Sequence, residues 1–376
     1  KRPTKGWRSC KPDHKAKSAL ETNRSVPARV VDSIKQQISP HSTTRPPHCT
    51  MEYFRHMTRV LHTFGLLMAI VALGCAGADP KAPSPETMMA PDASATAAEP
   101  EPLGIEIQGH RGARGLLPEN SIPGFVIAIR EGADVLEMDL CIAKDGNIIV
   151  SHEPWMSHVI CTAPNGDEIT ASRERRFNLH QMTTQEIQAF DCGMKAHPRF
   201  PDQRHLPIQK PTLAEVVEVT ENVPMLVDGR QIRYNLEIKH RQDLEPEFCP
   251  EVTEFVQTVI AEVRRLGIED RTCIQSFSAE ALNAVHQQAP NMTTAWLTNS
   301  EESVASELAR INFKPSIYSP QWERIDANDV NGLQQKDIRV IPWTVNEPED
   351  LFAVMQMGVD GIITDYPDRL YDLRKN

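Results

Sequence analysis

The chain has 376 residues, 40% of them hydrophobic, enough to bury one large core or two small ones. Its formal charge of −11 is unevenly spread: residues 1–63 hold 13 Lys and Arg against 4 Asp and Glu, a net of +9, so the remainder carries −11 − 9 = −20. A region that acidic excludes nucleic-acid binding through its overall field, while it can still attract cations, a metal ion included.

Residues 1 to about 50 begin with Lys rather than Met, are rich in Pro, Ser, Thr and basic residues, and show no apolar period able to bury a face. They read as translated upstream sequence ahead of a start at Met51 or Met57, or as a disordered basic arm. From Met51 the pattern is that of a targeting segment: Arg55 and Arg59 precede an apolar run, Phe64 to Leu73, followed by Gly74-Cys75-Ala76. About ten apolar residues are too few to span a bilayer comfortably, which makes 51–75 a secretion signal rather than a transmembrane helix. Ala72-Leu73-Gly74-Cys75 resembles a bacterial lipoprotein box with Cys75 as the lipidated residue. Ala72 stands where Leu is commonest, and plain cleavage after a nearby small residue is the alternative. The expectation is an exported protein of a bacterium, periplasmic or held at the membrane by a lipid anchor. Residues 76–103, dominated by Pro, Ala, Ser and acidic side chains, read as a disordered linker.

The folded part is expected from Gly104. A strand marked by Ile105 and Ile107 ends in His110-Arg111-Gly112, and a turn containing Glu119 and Asn120 leads to a helix from about Ser121 to Gly132. A second strand, Asp134 to Leu140, carries Glu137 and Asp139, and a short strand, Asn147 to Val150, runs on to His152. Strand, helix and strand in that order imply a βαβ unit with parallel strands. Residues two apart in a strand share a face, so Glu137 and Asp139 point one way while Leu136, Met138 and Leu140 point the other. Two carboxylates side by side in a strand that helices should cover repel each other and are costly to desolvate, and a hard divalent ion with oxygen ligands resolves this. An isolated E-x-D would read as an ordinary solvated strand end. Here the pair lies between two strand-terminal histidines.

His110-Arg111-Gly112, Pro118-Glu119-Asn120, Glu137-x-Asp139 and His152 resemble the signature of the glycerophosphodiester phosphodiesterase family. Glu237-x-Lys239, Gln275-Ser276-Phe277, Trp343-Thr344-Val345-Asn346 and Asp360 through Pro367 follow in the family's order, and the resemblance runs from about Ile105 to the C-terminus. Each motif alone is weak; together, in order, they are specific. The segment 153–211 departs from the alternating pattern and is too long for a barrel loop. In the resembling family an inserted segment occupies this place over the active-site mouth, so it reads as a lid or substrate-shaping subdomain.

Beyond it, Thr212 to Thr220 reads as a helix with a capping box from Thr212 and Glu215. Strands follow at Arg233 to Ile238, Arg271 to Phe277, Thr293 to Leu297, Ser316 to Tyr318, Arg339 to Val345 and Val359 to Thr364, with helical sequence after each. Eight such units indicate a (β/α)8 TIM barrel with an insertion after strand 2. In a barrel of this kind the site forms at the C-terminal strand ends, where His110, Arg111, Glu137, Asp139, Glu237, Lys239 and Trp343 would converge.

Residue types then suggest roles. Glu137, Asp139 and Glu237 supply three carboxylates for one hard cation, Ca²⁺ or Mg²⁺. Arg111 suits a phosphate oxygen pair and Lys239 a point charge, with Trp343 a further substrate contact. His110 and His152 suit a general base and a general acid, in an order the sequence leaves open. Glu119 is expected to orient Arg111 and Asn120 to hold the turn. Asp365 and Thr364 read as caps of the last helix, His240 and His286 as surface residues, and Cys161 with Cys192 as a pair able to staple the insertion. What the resemblance implies is hydrolysis of a small glycerophosphodiester to glycerol 3-phosphate and an alcohol. The rivals are lysophospholipase D-like action on lipids keeping one acyl chain, and a tethered binding lipoprotein with a degenerate barrel.

Overall fold

The structure is a computed structural model that describes residues 104–225 and 230–375. The upstream segment, the signal, the lipidation of Cys75 and the linker fall outside the described residues.

Period-two strands with two apolar faces and period-3.6 helices alternate along the chain. β1 (Glu106–Gly109) passes through α1 (Ile122–Arg130) to β2 (Val135–Ile142), with Ser121 capping the helix through its hydroxyl and Pro123 in its first turn. β3 (Ile148–Val150) folds back antiparallel on β2. After the insertion, which contains α2 (Thr184–Ile187), come α3 (Leu213–Thr220), β4 (Arg233–Ile238), α4 (Val252–Leu266), β5 (Thr272–Ser276), α5 (Ala279–Gln288) and β6 (Thr293–Thr298). The chain ends with α6 (Val304–Leu308), β7 (Ile317–Pro320), α7 (Ala327–Gln334), β8 (Arg339–Val340), α8 (Pro348–Gln356), β9 (Gly361–Thr364) and α9 (Pro367–Arg374). Among the described residues no helix is long and apolar enough to cross a membrane.

Eight strands are parallel in the order β8-β7-β6-β5-β4-β2-β1-β9. The two ends of that ribbon meet through separate backbone bonds rather than a regular ladder: Asp360 N–H to Val340 O (2.9 Å), Ile363 N–H to Pro342 O (3.0 Å) and Val345 N–H to Ile363 O (3.1 Å). The strand expected over 339–345 is regular only at Arg339–Val340, because Pro342 has no N–H to give a ladder. The result is a nearly closed (β/α)8 barrel.

Outward strand residues such as Leu136, Met138, Leu236 and Ile274 pack under the helices with Phe125, Phe255 and Val259 in the main core. Inside the barrel, Cys273, Ala295, Ile317, Ile341 and Ile363 form a small apolar cluster. The interior side chains nearer β1, β2 and β4 are polar: Glu106, Gln108, Glu137 and Asn235 are all buried.

The insertion, 153–211, packs Met156, Leu179, Ile187 and Phe190 and the disulfide Cys161–Cys192 into a second apolar cluster that also takes in Cys141 of β2, Ala143 just beyond it and Ile149 of β3. The helix expected over 183–190 is a single turn, α2, started by a Thr183–Glu186 capping box. Asp191 ends the local run by accepting from the N–H groups of Gly193, Met194 and Ile208, an Asx-type turn that competes with helix.

Candidate active site

At the C-terminal end of β1 the chain turns with Arg111 at φ +51° and Gly112 at φ +89°. A Cβ at 112 would lie 2.8 Å from the Gly124 carbonyl carbon, so the turn demands glycine for both space and backbone angle. Holding Arg111 in the left-handed region costs strain that the surroundings must enforce, and the turn aims its main-chain N–H at Glu137 Oε2 (2.8 Å). The Arg111 guanidinium reaches Glu119 Oε1 at 3.0 Å. Its Nε stands 3.3 Å from Asp139 Oδ2 without hydrogen-bond geometry. Asn120, also at positive φ (+51°), donates to Asp139 Oδ2 at 2.7 Å, so it holds a carboxylate as well as the turn.

Glu137, Asp139 and Glu237 are buried, and one oxygen from each lies within 4.8 Å of the others. Lys239 Nζ sits 2.8 Å from Glu237 Oε1 and 3.2 Å from Asp139 Oδ1. Burial, then the charges of Asp139 and Glu237, push the Glu137 carboxyl well above the ordinary range. Glu237 is likewise raised, by burial and by Asp139 against the relief of Lys239. Burial works the same way on Asp139, but Lys239, Arg111 and His152 outweigh it and hold it low. One lysine therefore relieves only part of the repulsion. An all-oxygen donor set that still resists ionisation fits a hard divalent cation.

The histidines face this cluster, each backed by a carboxylate. His110 Nδ1 is 2.8 Å from Asp365 Oδ1, and its Nε2 is 4.0 Å from Glu137 Oε2. Asp365 is fully buried and also accepts from Arg114 and from Asn346 Nδ2. Burial would raise its carboxyl, but His110 and Arg114 hold it far below the usual range. An ionised Asp365 accepts only, so the His110 proton sits on Nδ1 and the Nε2 lone pair points to the site. The Arg114 Nη2 contact with Nδ1 (3.2 Å) is then repulsive rather than a hydrogen bond. Burial and Arg114 push His110 down to about 4 despite Asp365. His152 Nδ1 meets Glu153 Oε1 at 2.8 Å. Burial would raise Glu153, but the bond and charge of His152, then Lys210 and Arg111, hold it at about 2.

His110, Arg111, Arg114, Glu137, His152, Glu237 and Lys239 line a cavity of about 380 Å³ with Phe277, Trp322, Trp343 and, from the insertion, Arg199. Phe277 and Trp343 meet edge to face at 5.5 Å. Every site residue expected from sequence on the folded part converges here or directly behind it. Asp365 was expected as a helix cap, yet Tyr366 holds that position without a side-chain cap; the separation of 255 residues from His110 hid the pairing. His240 is buried, not superficial, between Ser278 Oγ (2.9 Å) and Glu245 Oε1 (2.6 Å). His286 is exposed, as expected. Arg114 and Arg199 carried no sequence signal for the positions they take, and Gln275, part of a motif, carried none for its bond to Glu137. Glu153 stands where the resembling family usually has Asp, and the longer acid still reaches Nδ1.

The profile of the glycerophosphoryl diester phosphodiesterase family matches residues 110–369. A glycerophosphodiester phosphodiesterase of Caldanaerobacter subterraneus subsp. tengcongensis is 29% identical over 266 residues, covering 70% of this chain and 95% of that protein. A crystal structure from Silicibacter pomeroyi DSS-3, provisionally assigned to the same family, superposes with a TM-score of 0.65 at 30% identity, covering 73% of this chain and 95% of that one. An Oleispira antarctica phosphodiesterase solved with its product sn-glycerol-3-phosphate has a TM-score of 0.57 at 19% identity, covering 72% and 97%; at that identity it speaks to the fold alone.

Proposed function

The chain belongs to the glycerophosphoryl diester phosphodiesterase family, and on that premise we propose that it hydrolyses glycerophosphodiesters to glycerol 3-phosphate and an alcohol, with one divalent cation, Ca²⁺ or Mg²⁺, held by Glu137, Asp139 and Glu237. The observation that carries this reading is the buried carboxylate triad between two carboxylate-backed histidines. When bound, the cation supplies Lewis-acid polarisation of the phosphate and offsets its developing negative charge.

The chain's own residues do the rest. Arg111 and Lys239 line the cavity and bind phosphate oxygens. His110, unprotonated near neutral pH because its pKa is pushed down to about 4, takes a proton on Nε2 from the water whose oxygen bonds to phosphorus as the P–O bond to the alcohol breaks. Asp365 fixes the tautomer this requires. His152, steered by Glu153, returns a proton to the departing alcohol. Phe277 and Trp343 form the apolar wall beside the phosphate.

The disulfide is consistent with an exported enzyme. Lipidation of Cys75 is the anchoring reading, tested by mass spectrometry of the native N-terminus; a free terminus without acyl chains rejects it. For the reaction, a panel of glycerophosphodiesters and lysolipids assayed with and without EDTA is decisive. Diester hydrolysis should vanish with the chelator, and activity retained in EDTA rejects the metal reading. Turnover of lysolipids alone would move the substrate class to lysophospholipase D-like. An aryl phosphodiester, whose leaving group needs no acid, should partly rescue His152→Ala; rescue of His110→Ala instead reverses the base and acid.

A further inference from the structure

Branched apolar layers usually fill a barrel of this kind, but part of this interior holds a run of amides. At the N-terminal end of the barrel, Glu106 Oε2 is clamped by Arg233 Nη1 (2.7 Å) and Arg339 Nη2 (2.9 Å). Gln108 Nε2 donates to Glu106 Oε1 (2.6 Å), and Asn235 Nδ2 donates to Gln108 Oε1 (2.7 Å). The same Asn235 nitrogen donates to Gln275 Oε1 (2.9 Å), and Gln275 Nε2 donates to Glu137 Oε1 (2.8 Å). Glu106, Gln108, Asn235, Gln275 and Glu137 are all buried.

The ends of this run dictate its direction. Glu106, clamped by two arginines, only accepts, and Glu137 does the same once it holds the cation, with Oε2 already taken by the Arg111 N–H, so both glutamines turn their NH₂ groups outward to Glu106 and Glu137. Their carbonyls then both face Asn235, which must be a double donor, and its own Oδ1 is left buried without a partner. An apolar side chain at 235 would avoid that unpaired oxygen but would leave both glutamine carbonyls free to rotate. The last torsion of a glutamate or glutamine is soft and roughly two-fold. Glu137 is held against this softness from two sides, by Gln275 at Oε1 and by the Arg111 N–H at Oε2.

We propose that Glu106, Gln108, Asn235 and Gln275 form a positioning relay that orients Glu137 for the divalent cation. Gln275 also lines the cavity, while Glu106, Gln108 and Asn235 lie behind it. The proposal rests on the metal reading above, and is tested without turnover. Mg²⁺, with Ca²⁺ in parallel, is titrated calorimetrically into the full chain and its variants in the absence of substrate, and melting temperature is followed separately. Gln275→Met and Asn235→Leu should each weaken ion binding about 10- to 100-fold, the usual effect of removing a partner that orients a ligand. Because the two lie on one chain, the double variant should bind no more weakly than the weaker single one. Gln108→Met, one link further out, should cost about threefold, and it carries the test if Asn235→Leu does not fold. Wild-type affinity in Gln275→Met and Asn235→Leu, or losses that simply add, would overturn the relay. A wild type that binds neither ion would overturn the metal reading itself, and the relay with it.

Discussion

Reducing the Cys161–Cys192 disulfide should open the insertion and leave the barrel standing. The bond closes a loop with a sequence separation of 31 residues, and loss of that closure corresponds to about 3–4 kcal/mol of chain entropy at 25 °C. The insertion's apolar cluster is distinct from the main core and rests on Cys141 and Ala143 at the end of β2 and on Ile149 of β3, so the loss falls on the insertion first and on that edge next, away from β4 and β5. Its opening equilibrium should rise roughly 10²- to 10³-fold, at about 1.4 kcal/mol per decade. A soluble phosphine reductant leaves every other atom in place and is preferable to substitution. Native-state hydrogen exchange then reads the amides of Thr162, Asp191 and Cys192, which bond within the insertion to Asp191, Thr162 and Ile208. These should lose protection while amides of β4 and β5 keep theirs. Arg199 lines the cavity, and Gln203 holds the loop after β1 through the carbonyls of Arg114 and Leu117, so kcat/KM should fall, by up to roughly 100-fold. Unchanged protection after reduction, or a loss shared equally by β4 and β5, would refute the separation of the two cores.

Three further outcomes are expected. Glu137→Gln, Asp139→Asn and Glu237→Gln, near-isosteric changes, should each abolish divalent-dependent hydrolysis with the circular-dichroism spectrum intact. Asp365→Asn should let His110 carry its proton on Nε2 and lower kcat by roughly two to four decades with a small change in KM, measured by steady-state kinetics; wild-type kcat would remove Asp365 from the assignment. Glu106 bears on acid stability: burial would raise its carboxyl, but Arg233 and Arg339, helped by Gln108, hold it below the ordinary value. A depressed folded pKa means stability fully present above the unfolded pKa of about 4.5 and lost as pH falls through the folded one. Denaturant titrations of wild type and Glu106→Gln should therefore differ by about 1–3 kcal/mol at pH 7 and converge in strong acid.

The barrel and the carboxylate pair were legible because they rest on periodicity. Alternation put Glu137 and Asp139 on one face of β2, and no packing choice could separate them. His110 and His152 were legible as strand-end groups. Their partners were not equally visible. Glu153 is adjacent in sequence, but Asp365 sits before a helix whose cap it seemed suited to be, and only barrel closure carries it to His110. Burial of His240 depends on Glu245 and Ser278 arriving from different loops. The shortening of β8 was readable in principle, since Pro342 stands inside the expected strand. The donor direction of Gln275 was not, because an amide's orientation is set by its neighbours, here Asn235 on β4 and Glu137 on β2.

The join between β8 and β9 gives the barrel one mechanically soft line. A ribbon rolled until its edges meet resists shear along every ladder but yields where separate bonds stand in for one. Trp343 is fastened on the β7 side of that line, by its N–H to Pro320 O and its indole Nε1 to Ser319 O, each at 3.0 Å. His110 and Asp365 ride with β1 and β9, which share a four-residue register. Across the join the segment after Trp343 is tied back to Asp365 by Asn346, whose Nδ2 donates to Asp365 Oδ2 (2.8 Å) and whose Oδ1 accepts from the Asp365 N–H (2.9 Å), so side chains stand in for the missing ladder beside the site.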